Sequence, residues 1–232
     1  GLHAGWRMSF FFFFFIAACT LTYLCFVFPK LEKTEKFTFK QLPELFRNKN
    51  LMGLFAIAAL VPTAQYAAYS YIEPFMKFVA KMPDNMVTIN LMILGCAGLL
   101  GSAIFARTYE KHVKVFLTLS IAGIAVSHLL LYPATVNEFA MIALFIFWGV
   151  CMTCFGMASQ ADLMAATTVS AAPVAMSIYS GIFNFGIGSG TWVGGMICDH
   201  IDIAYIGYGA GILTILGTIF SAWLASHLHK KH

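Results

Sequence analysis

The sequence predicts an all-α membrane protein with seven transmembrane helices. Three observations carry this reading. Hydrophobic residues make up 60% of the 232-residue chain and charged residues only 10%, where a soluble domain carries about a quarter charged. Seven uncharged runs are each long enough to cross a bilayer. Lysine and arginine collect in alternate connections between those runs.

The runs are Met8–Phe28, Leu51–Ile72, Met86–Ala106, Val115–Asn137, Phe139–Ala161, Pro173–Cys198 and Ile203–Ser226. Each meets the roughly 18 to 20 residues that a hydrocarbon core of about 30 Å requires. Hydrocarbon offers backbone N–H and C=O groups no partner, so each run has to satisfy its own hydrogen bonds as a helix. Runs this long and continuously apolar do not alternate as the strands of a membrane barrel do.

Orientation follows from the basic residues. Lys30, Lys33, Lys36, Lys40, Arg47 and Lys49 lie between the first two runs, Arg107, Lys111 and Lys114 between the third and fourth, and Lys230 and Lys231 in the tail. Arg7, Lys77 and Lys81 lie on the opposite side. This asymmetry predicts a cytoplasmic face for the first group, with Gly1 outside and the carboxyl terminus inside. The net charge of +4 thus reports topology, and no clustered basic domain suggests nucleic acid. The chain begins with Gly1, and its first run is too long and lacks the small-residue cleavage site of a signal peptide. It reads as the later part of a longer protein.

The expected organisation is a transmembrane helix over residues 1–28, a cytoplasmic linker over 29–50 with alternating acids and bases (Glu32, Lys33, Glu35, Lys36), and a six-helix bundle over 51–232. Short connections join the six spans, near Met82–Asn85, Thr108–Lys114, Glu138, Asp162–Ala172 and Asp199–Asp202. Six tightly joined helices behind a charged linker match half of a two-bundle transporter, whose two triplets are inverted repeats. The first helix then closes the other, missing N-terminal half, which is the chain's expected partner together with the lipid bilayer.

Local strings carry a family resemblance. GWR at 5–7 ahead of an aromatic run, and GIGSGTWVGG at 186–195, resemble the major facilitator superfamily; the second string is similar to its antiporter signature GxxxGPxxGG, with Thr191 in place of proline. AYSYIEPF at 68–75, IFWG at 146–149 and SGIFNFGIG at 180–188 resemble, in this order and spacing, the bacterial sugar efflux transporters of the drug and sugar:proton antiporter branch. The resemblance covers helices six to twelve of a twelve-helix protein. It implies an inner-membrane antiporter that exports sugars or similar small polar solutes in exchange for protons. One departure concerns GSAIFAR at 101–107, which lacks the acid of the superfamily's GxxxDRxGRK loop. A charge-relay gate is not expected there, and transport by this chain alone is not expected either.

Candidate site residues follow from polar groups in apolar runs, where each is costly. Gln65, Tyr69 and Glu73 are spaced i, i+4 and i+8, which would align an amide, a phenol and a carboxylate on one helical face between Pro62 and Pro74. Gln65 and Tyr69 are candidates for solute binding and Glu73 for proton coupling, with an ordinary helix-end charge as the alternative for Glu73. Asn184, four residues after Ser180, is a third solute candidate or an interhelical bond. Trp148 could stack on a sugar ring or simply pack beside Gly149. Gly186, Gly190 and Gly194, with Gly195, form a smooth ridge that admits another helix closely.

Other groups promise less. Cys151 and Cys154 have CxxC spacing inside an apolar span without a second ligand pair, so packing is the expected role. His128 is expected at the outer interface, with a proton relay as the alternative. Gln160 and Asp162 end the fifth run as a solvated helix end or an inner gate. His227, His229 and His232 would bind metal only adventitiously. No cofactor is implied, and no nucleophile with a base or phosphate-cradling loop suggests an enzyme. The competing readings are a multidrug exporter and a seven-helix receptor; a retinal protein would need a lysine in the last span, which Ile203–Ser226 lacks.

Overall fold

The computed structural model describes residues 5–27 and 42–228. Most of the charged linker, with Lys30, Lys33, Lys36 and Lys40, and the tail with His229, Lys230, Lys231 and His232, lie outside the described residues. The described residues form helices and no strand. The chain divides into two compact units, Gly1–Lys36 and Phe37–His232.

The first unit contains α1 (Gly5–Val27). Its 23 residues span about 35 Å at 1.5 Å per residue, enough for the hydrocarbon core. Phe10 to Phe15 all point outward, as suits contact with acyl chains. Thr20 and Thr22 donate their hydroxyls to the carbonyls of Ile16 and Ala18, at 2.9 and 2.8 Å, which satisfies two polar groups without water.

In the second unit a short helix α2 (Leu42–Arg47) leads into α3 (Lys49–Tyr69). Asn48 sets the start of α3: its side-chain oxygen accepts from the N–H groups of Asn50 and Leu51, and its amide donates to Ala166 O at 2.9 Å. This N-cap satisfies donors that the first helical turn leaves open. Pro62 stays inside the helix. At the far end the backbone breaks: Tyr71 has φ −113° and ψ 12°. A single turn α4 (Ile72–Pro74), a π-turn over Phe75–Val79 and a left-handed Lys81 at φ 53° complete the reversal.

Then follow α5 (Asp84–Leu129), a 3-10 turn Pro133–Val136, α6 (Glu138–Ala165), α7 (Ala172–His200), a second 3-10 turn Ile203–Tyr205, and α8 (Ile206–Leu228). Five described helices are long and apolar enough to cross a membrane, and α5, with 46 residues, counts once among them. A straight helix of that length would measure about 69 Å, more than twice the hydrocarbon core. It is in fact broken at His112, where φ −132° and ψ 29° are non-helical. The connection expected over Thr108–Lys114 is therefore a kink at one residue, with helix on both sides. Helix α7 is not among the five, because serines, glycines and Asn184 dilute its hydropathy.

Packing partners give each helix its direction. Leu94 lies against Gly149, and Gly101 against Val150 and Thr153, so the first arm of α5 runs parallel to α6. Gly123 lies against Cys151 while His128 lies against Trp148, so the second arm runs antiparallel to the same helix. The chain thus reverses between the arms, and α5 makes two crossings. With α7 counted, its 29 residues being about 43 Å long, the crossings number seven. Every other pair agrees with strict alternation: α3 and α7 are parallel, and α8 is antiparallel to both α3 and the second arm of α5.

Arg47, Lys49, Arg107, Lys111 and Lys114 gather at one end of the bundle, and Lys77 and Lys81 at the other. The contacts also respect an internal exchange. Swapping α3, the first arm and the second arm of α5 for α6, α7 and α8 turns the parallel α3/α7 pair into the parallel α6/first-arm pair, and maps the α5/α8 pair onto itself. The inverted repeat is written in packing, where residue similarity does not show it.

Candidate functional site

Helices α3 and α7 meet along glycine. Gly186, Gly190 and Gly194 are buried, and a Cβ on them would run into the carbonyl oxygens of Ala59, Thr63 and Ala67 respectively. The glycine α-hydrogens thereby face a column of carbonyls spaced four residues apart, a geometry suited to weak C–H···O contacts. Ala58 O lies in the same contact, and it has no i+4 donor because Pro62 carries no N–H. Gly195 faces the Tyr71 hydroxyl.

Hydroxyl pairs flank the ridge. Thr63 and Ser189 lie 3.0 Å apart, Ser70 and Thr191 2.8 Å apart, and Tyr71 donates to Thr191 O at 3.1 Å. Tyr66 is half-buried, Ser180 and Asn184 are exposed, and Asn184 donates to Ser180 O at 2.8 Å. Tyr66 packs edge-on to Tyr69 at 5.5 Å between ring centroids. Amide and hydroxyl groups left open on spans otherwise apolar are the groups most suited to a polar solute.

A second cluster lies inside the bundle. The Trp148 indole is fully buried and donates its N–H to Gln65 Oε1 at 3.0 Å; the Gln65 amide in turn donates to Met152 Sδ at 3.1 Å. Tyr69, Phe145 and His128 surround the indole edge-on, with centroids 6.3, 5.9 and 5.2 Å away. The structure thus brings Gln65, Tyr69 and Trp148 together. It does not bring Glu73 with them: α3 stops at Tyr69, so the expected i, i+4, i+8 stripe is cut before the carboxylate. Glu73 instead pairs with Lys77 at 3.0 Å, its side chain 57% exposed, and Lys77 also reaches Asp84 at 3.1 Å.

His128, expected at the outer interface, lies in the last turn of α5. It is fully buried, because the second arm of α5 continues to Leu129 and α8 covers it. Its Nδ1 lies 2.9 Å from Thr214 Oγ1. At the basic end, Tyr109 donates to Asp162 at 2.5 Å. Tyr109 sits outside the apolar runs, and burial, then the bond to Asp162, raise its phenol above the ordinary range. Beside them a cavity of about 270 Å³ opens among α3, α5, α6 and α8, with Lys114, Asp162, Asn50 and Thr118 in its wall.

Six alternating crossings in the second unit, a repeat visible in packing and glycine-lined parallel pairs describe a transporter bundle, and the comparison with known families agrees. The family model described as Major Facilitator Superfamily matches residues 1–172. The chain belongs to the major facilitator superfamily. The match runs from α1 to the start of α7, across the whole α3/α5/α6 packing. Membership makes the chain a multi-pass membrane protein of a transporter superfamily, and polar groups on a close-packed pair of helices suit such a protein. Sequence reasoning missed Tyr66, Thr63 and Ser189, which carry no signal in one dimension beyond being polar. It also missed the second glycine contact, where Gly98 and Gly101 of α5 meet Thr153 and Val150 of α6; the GxxG spacing at 98–101 was the available cue.

Proposed function

We propose that this superfamily member works in the bacterial inner membrane, its carboxyl terminus cytoplasmic, as a proton-coupled exporter of sugars or similar small polar solutes. The observation that carries the reading is the set of polar groups that α3 and α7 hold in apolar spans: half-buried Tyr66, the Thr63–Ser189 pair and, on the side of α7 turned away from the glycine ridge, exposed Asn184. Hydroxyl and amide groups in that setting suit a ligand made of hydroxyls. The strings at 68–75, 146–149 and 180–188 supply the solute class and the direction, through their resemblance to sugar exporters. In alternating access, two bundles rock about a midplane site, and the glycine ridge gives α7 a smooth track along α3.

In this reading Tyr66, Tyr69 and Asn184 contact solute. Gln65 and Trp148 are buried and already bonded to each other, and they hold the wall behind. Glu73, exposed and paired with Lys77, acts as an end charge. The test is counterflow of labelled arabinose in vesicles bearing the complete transporter, comparing wild type with Asn184→Ala and Tyr66→Phe. Each variant is expected to weaken apparent affinity by about three- to tenfold, the effect of one hydrogen bond, with unchanged thermal stability. Unchanged affinity in both would remove these groups from the solute path, and export of hydrophobic cations without arabinose would favour a multidrug transporter.

A further inference from the structure

We propose that His128 is the residue of this bundle that takes up and releases the coupled proton, at Nε2, a reading that rests on the proton-coupled export proposed above. The buried polar side chains among the described residues include no Asp, Glu, Lys or Arg. His128 is the buried group whose side-chain chemistry allows proton exchange near neutral pH.

Its hydrogen bonds fix which nitrogen is available. Thr214 donates its hydroxyl to Ala210 O at 2.7 Å, so toward His128 it can only accept. Nδ1 therefore carries the hydrogen and Nε2 the lone pair. Nε2 is buried, and no protein group bonds to it. A buried acceptor left without a donor is costly to keep, which makes its retention in the last turn of α5, enclosed by α6 and α8, a functional pointer.

The ring is surrounded by uncharged groups. Helix α6 presents Trp148 and α8 presents Thr214. The ionisable side chains in the adjoining packing are Tyr69, on Trp148, and Cys151, at Gly123. Along the chain, α3 has no charged residue between Lys49 and Tyr69, α5 none from Lys114 to its end, α6 none between Glu138 and Asp162, and α8 none besides its terminal His227. A proton arriving from the outer side forms a bond to the Nε2 lone pair and gives an imidazolium whose Nδ1–H still binds Thr214. On the inner side that new N–H bond breaks to water and restores the neutral ring. Enclosing a cation with no counter-ion is unfavourable, so loading the proton favours the state in which Nε2 meets water. His128 touches Trp148, and Trp148 holds Gln65 of α3, which connects that change to the solute-facing helix.

The test has two readouts on the complete transporter that contains this chain. Nitrogen-15 NMR of labelled histidine in nanodiscs, with the His128 signal assigned by its loss in His128→Asn, is expected to show a pyridine-type Nε2 in alkaline solution that becomes protonated on acidification while the protein stays folded. An Nε2 that stays pyridine-type throughout, in folded protein, would overturn the proposal. In vesicles enclosing a pH-sensitive dye, His128→Asn keeps a donor for Thr214 but cannot carry a proton. It is expected to cut arabinose-driven proton flux about tenfold, within the ordinary range of coupling factors, while arabinose counterflow persists. Wild-type proton flux in His128→Asn would overturn the role of His128 and leave coupled export standing. Counterflow without proton flux in the wild type would overturn the coupling itself. If His128→Asn does not fold, His128→Gln is read in the same way, and loss of counterflow in both would mark the residue as structural and end the proposal.

Discussion

Gly190→Leu is expected to force α7 away from α3 and to destabilise the bundle by about 3 kcal/mol, the upper part of the usual overpacking range. A side chain there meets the backbone of Thr63 and Ala67, which cannot swing aside as a flexible side chain can. Lipid supplies no hydrophobic drive to hold the helices together once their contact is lost. Cys151 and Cys154 are buried, so with Cys19, Cys25, Cys96 and Cys198 replaced by serine their reaction with a thiol dye during heating reports unfolding directly. The control lies two residues away: at Gly188 a new Cβ meets open space, and Gly188→Leu is expected to melt like the wild type. Equal melting of Gly190→Leu and Gly188→Leu would mean that α7 does not pack on α3 through this ridge.

Replacing Trp148 by alanine is expected to cost about 3–5 kcal/mol, as for large aromatic truncations in packed interiors. The indole is enclosed by Tyr69, Phe145 and His128, side chains from α3, α6 and α5. Trp148→Phe separates the packing from the hydrogen bond. It retains most of the volume but leaves Gln65 Oε1 without its donor, an expected loss of about 1–3 kcal/mol. Combining it with Gln65→Leu removes both partners. The double variant should therefore be more stable than the sum of the two single losses, the mark of a direct interaction. Strict additivity in thermal unfolding would show that the bond contributes nothing.

Much of this architecture is legible in one dimension because the bilayer imposes it. Seven uncharged runs mark seven crossings, since neither a broken backbone nor a charge is tolerated in hydrocarbon without a partner. The glycines at 186, 190 and 194 are legible for the same reason, four-residue spacing being one face of a helix. What that face touches is not. The pairing with α3, and the fact that Pro62 leaves a carbonyl for it, depend on a segment more than a hundred residues upstream. The stop of α3 at Tyr69 was hidden because Ser70 and Tyr71 are neither glycine nor proline; the break shows only in the backbone angles and the π-turn beyond. The enclosure of His128 was not legible, because it depends on α8 folding back over the last turn of α5. Tyr66 was passed over in favour of Gln65 for a similar reason. Both are polar residues in one span, and only the neighbouring helices decide which is open and which is enclosed.

The account depends most on α5 crossing the membrane twice. Single cysteines at Asp84, Lys111 and Val136, in a background with the exposed Cys19, Cys25 and Cys96 and the partly exposed Cys198 replaced by serine, can be labelled from either side of oriented vesicles with an impermeant maleimide. Positions 84 and 136 are expected to react from one side and position 111 from the other. Labelling of 84 and 136 from opposite sides would make α5 a single crossing, reverse α6, α7 and α8, and contradict the transporter bundle described above.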